Sequence, residues 1–352
     1  MSLKLDDVVK LITPVDVGVA AAARRRLDSL TKPLGSLGML EETAVKYATA
    51  RGDVFAQVRR PAILTFAGDH GVAKKGISAY PPEVTPQMVA NFASGGAAIN
   101  VLSRHAGAEL SVIDIGVAAP CEFPGVIQRK VAPGTADFTE GPAMTEEQAR
   151  KAIEVGIEVA DSHISQGSTL LGTGDMGIGN TTPSSAIIAL LTGKGPEVVT
   201  GRGTGIDDGQ LRHKVGVVQR ILEVNRPDAR DGLDVLAKVG GFEIGGIAGL
   251  ILGAAARRKP VLVDGFISTA GALIAAALCP AAKGYMVASH LSVEPGHLAM
   301  LDTLGKRALL DMNMRLGEGT GSALAMCVVD AAARVLSDVA TFAEAAVSGA
   351  DK

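Results

Sequence analysis

Tryptophan is missing from this chain of 352 residues, and aromatic residues of any kind make up only 3% of it. So few rings argue against a groove lined with stacked aromatics. Net charge is close to balance, at -3, and no basic stripe appears, so nucleic acid is not expected as a partner. Cysteines are few, odd in number and far apart: Cys121, Cys279 and Cys327. That excludes a disulfide framework, gives no Cys/His spacing for a metal, and fits a reduced, cytoplasmic protein. The start, Met1 to Asp7, lacks the apolar core of a signal peptide. One uncharged run, Gly265 to Ala282, reaches the minimum length of a membrane span. It is rich in Gly, Ala, Ser and Thr, follows Asp264 and contains Pro280, so a buried helix is expected and no membrane association.

Small residues are what the chain has in quantity. Its 43 glycines, with abundant alanine, favour close packing of helices on a sheet. The length suits one large domain with a smaller partner and can bury a substantial core.

The most informative stretch runs from Ser168 to Thr182. An apolar run, Thr169 to Leu171, gives way to Gly172, Gly174, Gly177 and Gly179. Asn180, Thr181 and Thr182 follow, then Pro183 and the apolar run Ala186 to Leu191. The pattern predicts a strand, a glycine-rich turn and a capped helix start. Exposed amides and the positive end of a helix dipole make such a turn an anion site, so a phosphorylated ligand is expected there. Gly172-x-Gly174-x-x-Gly177 also has dinucleotide-fingerprint spacing, which keeps a nicotinamide-cofactor dehydrogenase open as a competing reading. Glu197, the acid at about the required distance, precedes its apolar pair instead of ending a strand. A non-catalytic nucleotide-binding module is a second competitor.

Elsewhere the chain opens with helices at about Asp16–Leu30 and Leu40–Ala50, joined by a turn at Lys32 to Met39. An alternating α/β pattern begins at Arg60. Strands are expected at 61–67, 109–115, 259–264 and 284–290, and one helix from near Thr85 to about His105. Residues 117–144 read as loop, and Thr145-Glu-Glu-Gln148 spells a capping box. Asp69-His70, just past the first strand, reads equally as an acid/base pair or as a clamp on its loop. Tyr80 and Met88 flank a proline-stiffened loop and offer a flat or soft surface. A second glycine-rich turn, Gly201 to Asp208, opens a helix carrying Lys214, which is placed to reach a phosphate or carboxylate. Near the end, Leu316-Gly-Glu-Gly-Thr-Gly321 puts Glu318 between glycines before a helix. The helix dipole is expected to favour its ionised form, and capping is expected from Thr320 or Ser322. A small-molecule enzyme is the class these features favour.

The runs Pro33-Leu-Gly-Ser-Leu-Gly38, Gly68-Asp-His-Gly-Val72, Ser78-Ala-Tyr-Pro-Pro-Glu-Val-Thr85, Gly174-Asp-Met-Gly-Ile-Gly-Asn-Thr-Thr-Pro183, Ser289-His-Leu-Ser292 and Gly317-Glu-Gly-Thr-Gly321 carry a resemblance. Taken in order along nearly the whole chain, they resemble the nicotinate-nucleotide–dimethylbenzimidazole phosphoribosyltransferase family. The resemblance implies an open parallel Rossmann-like sheet flanked by helices, in a large α/β catalytic domain of residues 59–329. It implies a small helical domain from residues 1–58 and 330–352, and a homodimer. The implied reaction converts nicotinate mononucleotide and 5,6-dimethylbenzimidazole into α-ribazole 5′-phosphate and nicotinate, for the lower-ligand nucleotide of cobalamin, with no cofactor and no bound dinucleotide. Carried onto this chain, Glu318 would be the general base. Gly177, Gly179, Asn180 and Thr181 would hold the phosphate, with Ser292, Leu316 and Gly317 beside it. Asp175 and Lys214 would contact substrate, and Tyr80 with Met88 would enclose the azole. The family often has Glu at the position of Asp175, and some members have Ser and Gln at those of Tyr80 and Met88.

Overall fold

A computed structural model describes residues 4–348. Three helices come first: α1 (Leu5–Leu11), α2 (Val17–Ser29) and α3 (Met39–Arg51). Asp16 starts α2 by accepting the Gly18 N–H. The apolar run after Arg60 becomes β1 (Ala62–Gly68), buried along its whole length, as a central parallel strand covered on both faces should be.

The helix expected over 85–105 is two helices, α4 (Val84–Ala93) and α5 (Ala98–His105). Gly95, with φ +79°, breaks the run between them, where glycine tolerates a left-handed backbone. β2 (Glu109–Gly116) follows, and the expected loop contains one short strand, β3 (Val126–Gln128). The capping box at Thr145 and Gln148 forms as spelled and starts α6 (Glu146–Ser165).

β4 (Leu171–Met176) runs further than the apolar residues suggested. Gly172 and Gly174 are strand residues, not turn residues. A Cβ on Gly172 would lie 2.9 Å from Ser322 Cβ, and one on Gly174 would lie 2.6 Å from Thr65 Oγ1. The glycines make room for the C-terminal helix to cross the sheet, which accounts for the fingerprint spacing without a dinucleotide.

α7 (Thr181–Thr192), the short α8 (Pro196–Val199), α9 (Asp208–Asn225), α10 (Gly232–Val239) and α11 (Phe242–Ala256) come next. Then follow β5 (Val261–Val263), α12 (Phe266–Leu278), β6 (Met286–Ala288), β7 (His290–Ser292), α13 (His297–Leu304), β8 (Leu310–Met314) and α14 (Thr320–Asp338). The uncharged run at 265–282 is the buried helix α12. Among the described helices only α14 has the length and apolar composition of a span, and 56% of it is buried in the protein.

The main sheet is parallel, ordered β3-β2-β1-β4-β5-β6. Strand order reverses between β1 and β4, which opens a crevice at their C-terminal ends. β7 leaves this sheet and pairs with β8. α6 and α11 approach backbone to backbone: a Cβ on Gly249 would lie 2.7 Å from the Ile153 carbonyl carbon. α2, α3 and the end of α14 share a separate apolar cluster that includes Leu27, Val45 and Leu336. α1 packs instead into the large core through Leu5, Val8 and Ile12, and α14 passes unbroken through residue 330. The outer ends of the small domain expected from sequence, residues 1–3 and 349–352, lie outside the described residues.

Candidate active site

At the C-terminal end of β4 lies a cavity of about 660 Å³, within the size range of small-molecule sites. Its wall includes Tyr80, Met88, Asp175, Gly177, Gly179, Asn180, Thr181, Ser292, Leu316, Gly317 and Glu318. Residues far apart in the chain thus meet around one space.

The glycine-rich turn after β4 forms one wall. The Gly177 Cα packs on the Gly68 carbonyl, and Gly179 has φ +89°, so neither position accepts a side chain easily. Thr85 Oγ1 takes the Ile178 N–H at 3.1 Å and fixes the turn from α4. Asn180 does not cap α7; its Nδ2 donates to Asp175 Oδ2 at 3.0 Å. The start of α7 therefore faces the cavity without a side-chain cap, which suits an anion.

Two cations back this wall. Lys214 is fully buried and sits behind the cavity surface, not on it. Its Nζ donates to Thr181 Oγ1 at 2.6 Å and to the Gly201 carbonyl at 3.3 Å. Burial drops its pKa to about 8, although the Glu294 charge opposes the fall. Arg315 lies on the wall and donates to the Gly203 carbonyl at 2.8 Å. Thr204, from the same turn, accepts the Ala79 N–H at 2.9 Å and ties the Tyr80 loop down.

Carboxylates line the same cavity. Glu318 has φ +63° between Gly317 at +84° and Gly319 at +101°, a costly conformation for a residue with a Cβ. The fold holds it from two strands: Thr65 Oγ1 donates to its carbonyl at 2.8 Å, and its N–H donates to the Asp175 carbonyl at 3.2 Å. Its Oε2 accepts the Ile99 N–H at 3.3 Å, in the first turn of α5.

The electrostatics differ from the sequence expectation. Burial pushes the Glu318 carboxyl above its usual range, and the Ile99 N–H only partly opposes this. Neither Thr320 nor Ser322 caps α14. Asp264, from the end of β5, accepts the Gly319 N–H at 3.2 Å and the Ser322 N–H at 2.9 Å. The free amides of α14 are thus spent on another carboxylate, which itself is raised by burial to about 7. Asp175 is pushed well up by burial and by the neighbouring Asp264 and Glu243, against the Asn180 hydrogen bond.

Asp69 and His70 turn out to be clamps, not cavity groups. Asp69 Oδ2 accepts the Ala118 N–H at 2.8 Å. His70 Nε2 pairs with Glu243 Oε1 at 2.8 Å, both side chains fully buried. His297, whose pKa burial lowers to about 3, accepts the Ser292 N–H on Nδ1 at 2.9 Å and so orients Ser292. Sequence reasoning missed Arg315, Thr204, Glu294 and Phe266 on the wall. Arg315 directly precedes Leu316-Gly-Glu, and Thr204 sits within the second glycine-rich turn, so their positions carried the available signal.

A glycine-lined anion cradle facing a buried carboxylate, at the switch point of a parallel α/β sheet, defines an enzyme that works on a phosphorylated small molecule. The comparisons narrow that class. A family profile described as Phosphoribosyltransferase matches residues 12–347. A nicotinate-nucleotide–dimethylbenzimidazole phosphoribosyltransferase from Chloroflexus aggregans is 58% identical over 349 residues, 99% of each chain. One of the same name from Geotalea uraniireducens is 56% identical, over 98% of each chain. The crystal structure of the Thermus thermophilus enzyme of that name superposes with a TM-score of 0.90 at 47% identity, over 95% of this chain and 100% of that one. The chain belongs to the nicotinate-nucleotide–dimethylbenzimidazole phosphoribosyltransferase family.

Proposed function

We propose that the protein moves the 5-phosphoribosyl group of nicotinate mononucleotide onto 5,6-dimethylbenzimidazole, giving α-ribazole 5′-phosphate and nicotinate for the nucleotide loop of cobalamin. The supporting observation is that an anion-ready helix start and buried carboxylates border one cavity. Lys214 and Arg315 hold the turn beside the uncapped start of α7, while Glu318 and Asp175 line the same cavity and Asp264 binds the Gly319 N–H behind it. A mononucleotide offers a charge to each, with its phosphate at one end and a cationic ring at C1′.

In this reading the phosphate sits on Gly177, Gly179, Asn180 and Thr181, with Ser292, Leu316 and Gly317 beside it. Lys214 acts through Thr181. The azole lies between Tyr80 and Met88, one nitrogen towards C1′ and its N–H towards Glu318. As that nitrogen forms the new bond, the C1′–N bond to nicotinate breaks and the ring departs neutral, so no general acid is needed. Glu318 takes the azole proton, a step worth about 10²–10⁴-fold. Attack opposite the leaving ring turns a β substrate into an α product. Alignment of two rings and a ribose can supply about 7–11 kcal/mol more.

Incubation with both substrates should release free nicotinate, detected by chromatography. Release that does not depend on the azole, or no release at all, would overturn the assignment. Binding of NAD in a calorimetric titration would favour the dehydrogenase alternative. We take the working unit to be a homodimer, as the family resemblance implies. The small helical unit is best drawn as α2, α3 and the end of α14. Three unpaired cysteines suit the reducing cytoplasm.

A further inference from the structure

Asp175 is an unusual carboxyl to leave on the wall of a binding cavity. It is 5% exposed, and of its two oxygens Oδ2 accepts one hydrogen bond while Oδ1 has no partner. No Lys, Arg or His nitrogen lies within 4.0 Å of it among the described residues. The elements around it bring like charge. Asp264 comes from β5, Glu318 from the loop before α14, and Glu243 from α11 behind the sheet. The nearby imidazoles do not compensate: His70 is engaged by Glu243, and His290 is held uncharged by burial, its Nδ1 3.8 Å from Asp264 Oδ1. Only Asn180 faces it from α7, as a neutral donor. Gly317, at φ +84°, places no side chain over it: a Cβ there would lie 3.2 Å from Asp175 Oδ2.

A buried carboxyl with no cation stays protonated until a cation arrives. Resting on the phosphoribosyl reading above, we propose that the cationic nicotinate ring of the bound mononucleotide is the missing counter-ion of Asp175. Asp175 carries its proton in the empty site and releases it to solvent when the nucleotide binds. The carboxylate so formed then faces C1′ as positive charge moves from the ring to the ribose during transfer. Before the azole enters, no bond of the nucleotide breaks; one O–H bond of Asp175 breaks and its proton goes to water.

Proton-linked binding has a direct readout. Calorimetric titration of nicotinate mononucleotide into the azole-free protein, in buffers of different ionisation enthalpy, counts the protons released. The phosphate can also lose a proton on binding, because its second pKa is near 6. The control is therefore the reduced mononucleotide, whose dihydropyridine ring is neutral. The nucleotide with the cationic ring is expected to release more protons than the one with the neutral ring. Its affinity should also rise more steeply with pH, by up to about tenfold per unit below the carboxyl's pKa. Asp175→Asn should abolish the difference between the two nucleotides, and Asp175→Glu should restore it. Equal proton release from both nucleotides, or a difference that survives in Asp175→Asn, overturns the proposal. If neither nucleotide binds, the phosphoribosyl reading falls first and takes this one with it.

Discussion

At the scale of single residues, Glu318 and Lys214 work under altered acidity for the same reason, loss of water around a charge. Glu318→Gln keeps the shape of the site and removes the proton acceptor. It should lower kcat by about 10²–10⁴ with little change in KM, and retention of a tenth of the activity would refute the base role. With its pKa raised, Glu318 is protonated sooner as pH falls. The acid limb of kcat/KM should therefore lie above the 4.5 of an ordinary glutamate. Lys214 is cationic only below about pH 8. The parent KM for the mononucleotide should rise as pH climbs through that value. Lys214→Ala should have a high KM that no longer responds there; an unchanged KM would detach Lys214 from the phosphate. Residue identities at the site were legible because glycines beside Glu318 and Asn180 have few other uses. The depth of Lys214 was not, since a lysine on an amphipathic helix reads as solvated whether or not a turn closes over it. The cap on α14 was equally hidden, because Asp264 comes from another strand far upstream.

At the scale of elements, the glycine-rich turn depends on what lies beneath it. His70 Nε2 would be 3.4 Å from a Cβ on Gly177, so the His70–Glu243 pair supports the glycine-rich turn, the proposed phosphate cradle, from below. His70→Ala leaves Glu243 buried without a partner and should cost about 3–5 kcal/mol. Burial pulls the His70 pKa down, but the Glu243 charge and hydrogen bond override it and leave the value raised. The pair's contribution is therefore complete below the unfolded value of about 6.5 and fades as pH rises through the higher folded value. Urea unfolding of parent and variant should show the gap narrowing with pH; a widening gap would contradict the pair. Gly249→Val should also destabilise, by about 1–3 kcal/mol or more, because α6 and α11 leave no room for a side chain. Elements were read well wherever period and punctuation agreed, as in β1 and α6. They were misread where glycine served packing: within β4 it looked like a turn, and at Gly95 a helix break hid inside an apolar run.

At the scale of the whole molecule, the proposed homodimer predicts a solution mass of twice the 35.9 kDa chain by light scattering, and a single-chain mass would refute it. The alternating pattern sufficed for a parallel α/β sheet, because strand order in such sheets follows few rules. The edges were less legible. β7 departs to pair with β8, a choice made by partners distant in sequence, and α1 joins the large core although it sits beside α2 in the chain. Thr65 on β1 and Asp175 on β4 grip Glu318 from strands separated in the chain by three α-helices and two strands. Cut the gene anywhere between them and each half should be silent, turning over substrate only after the two fragments find one another. The enzyme's own product would then serve as a complementation reporter, with no added dye or fused label.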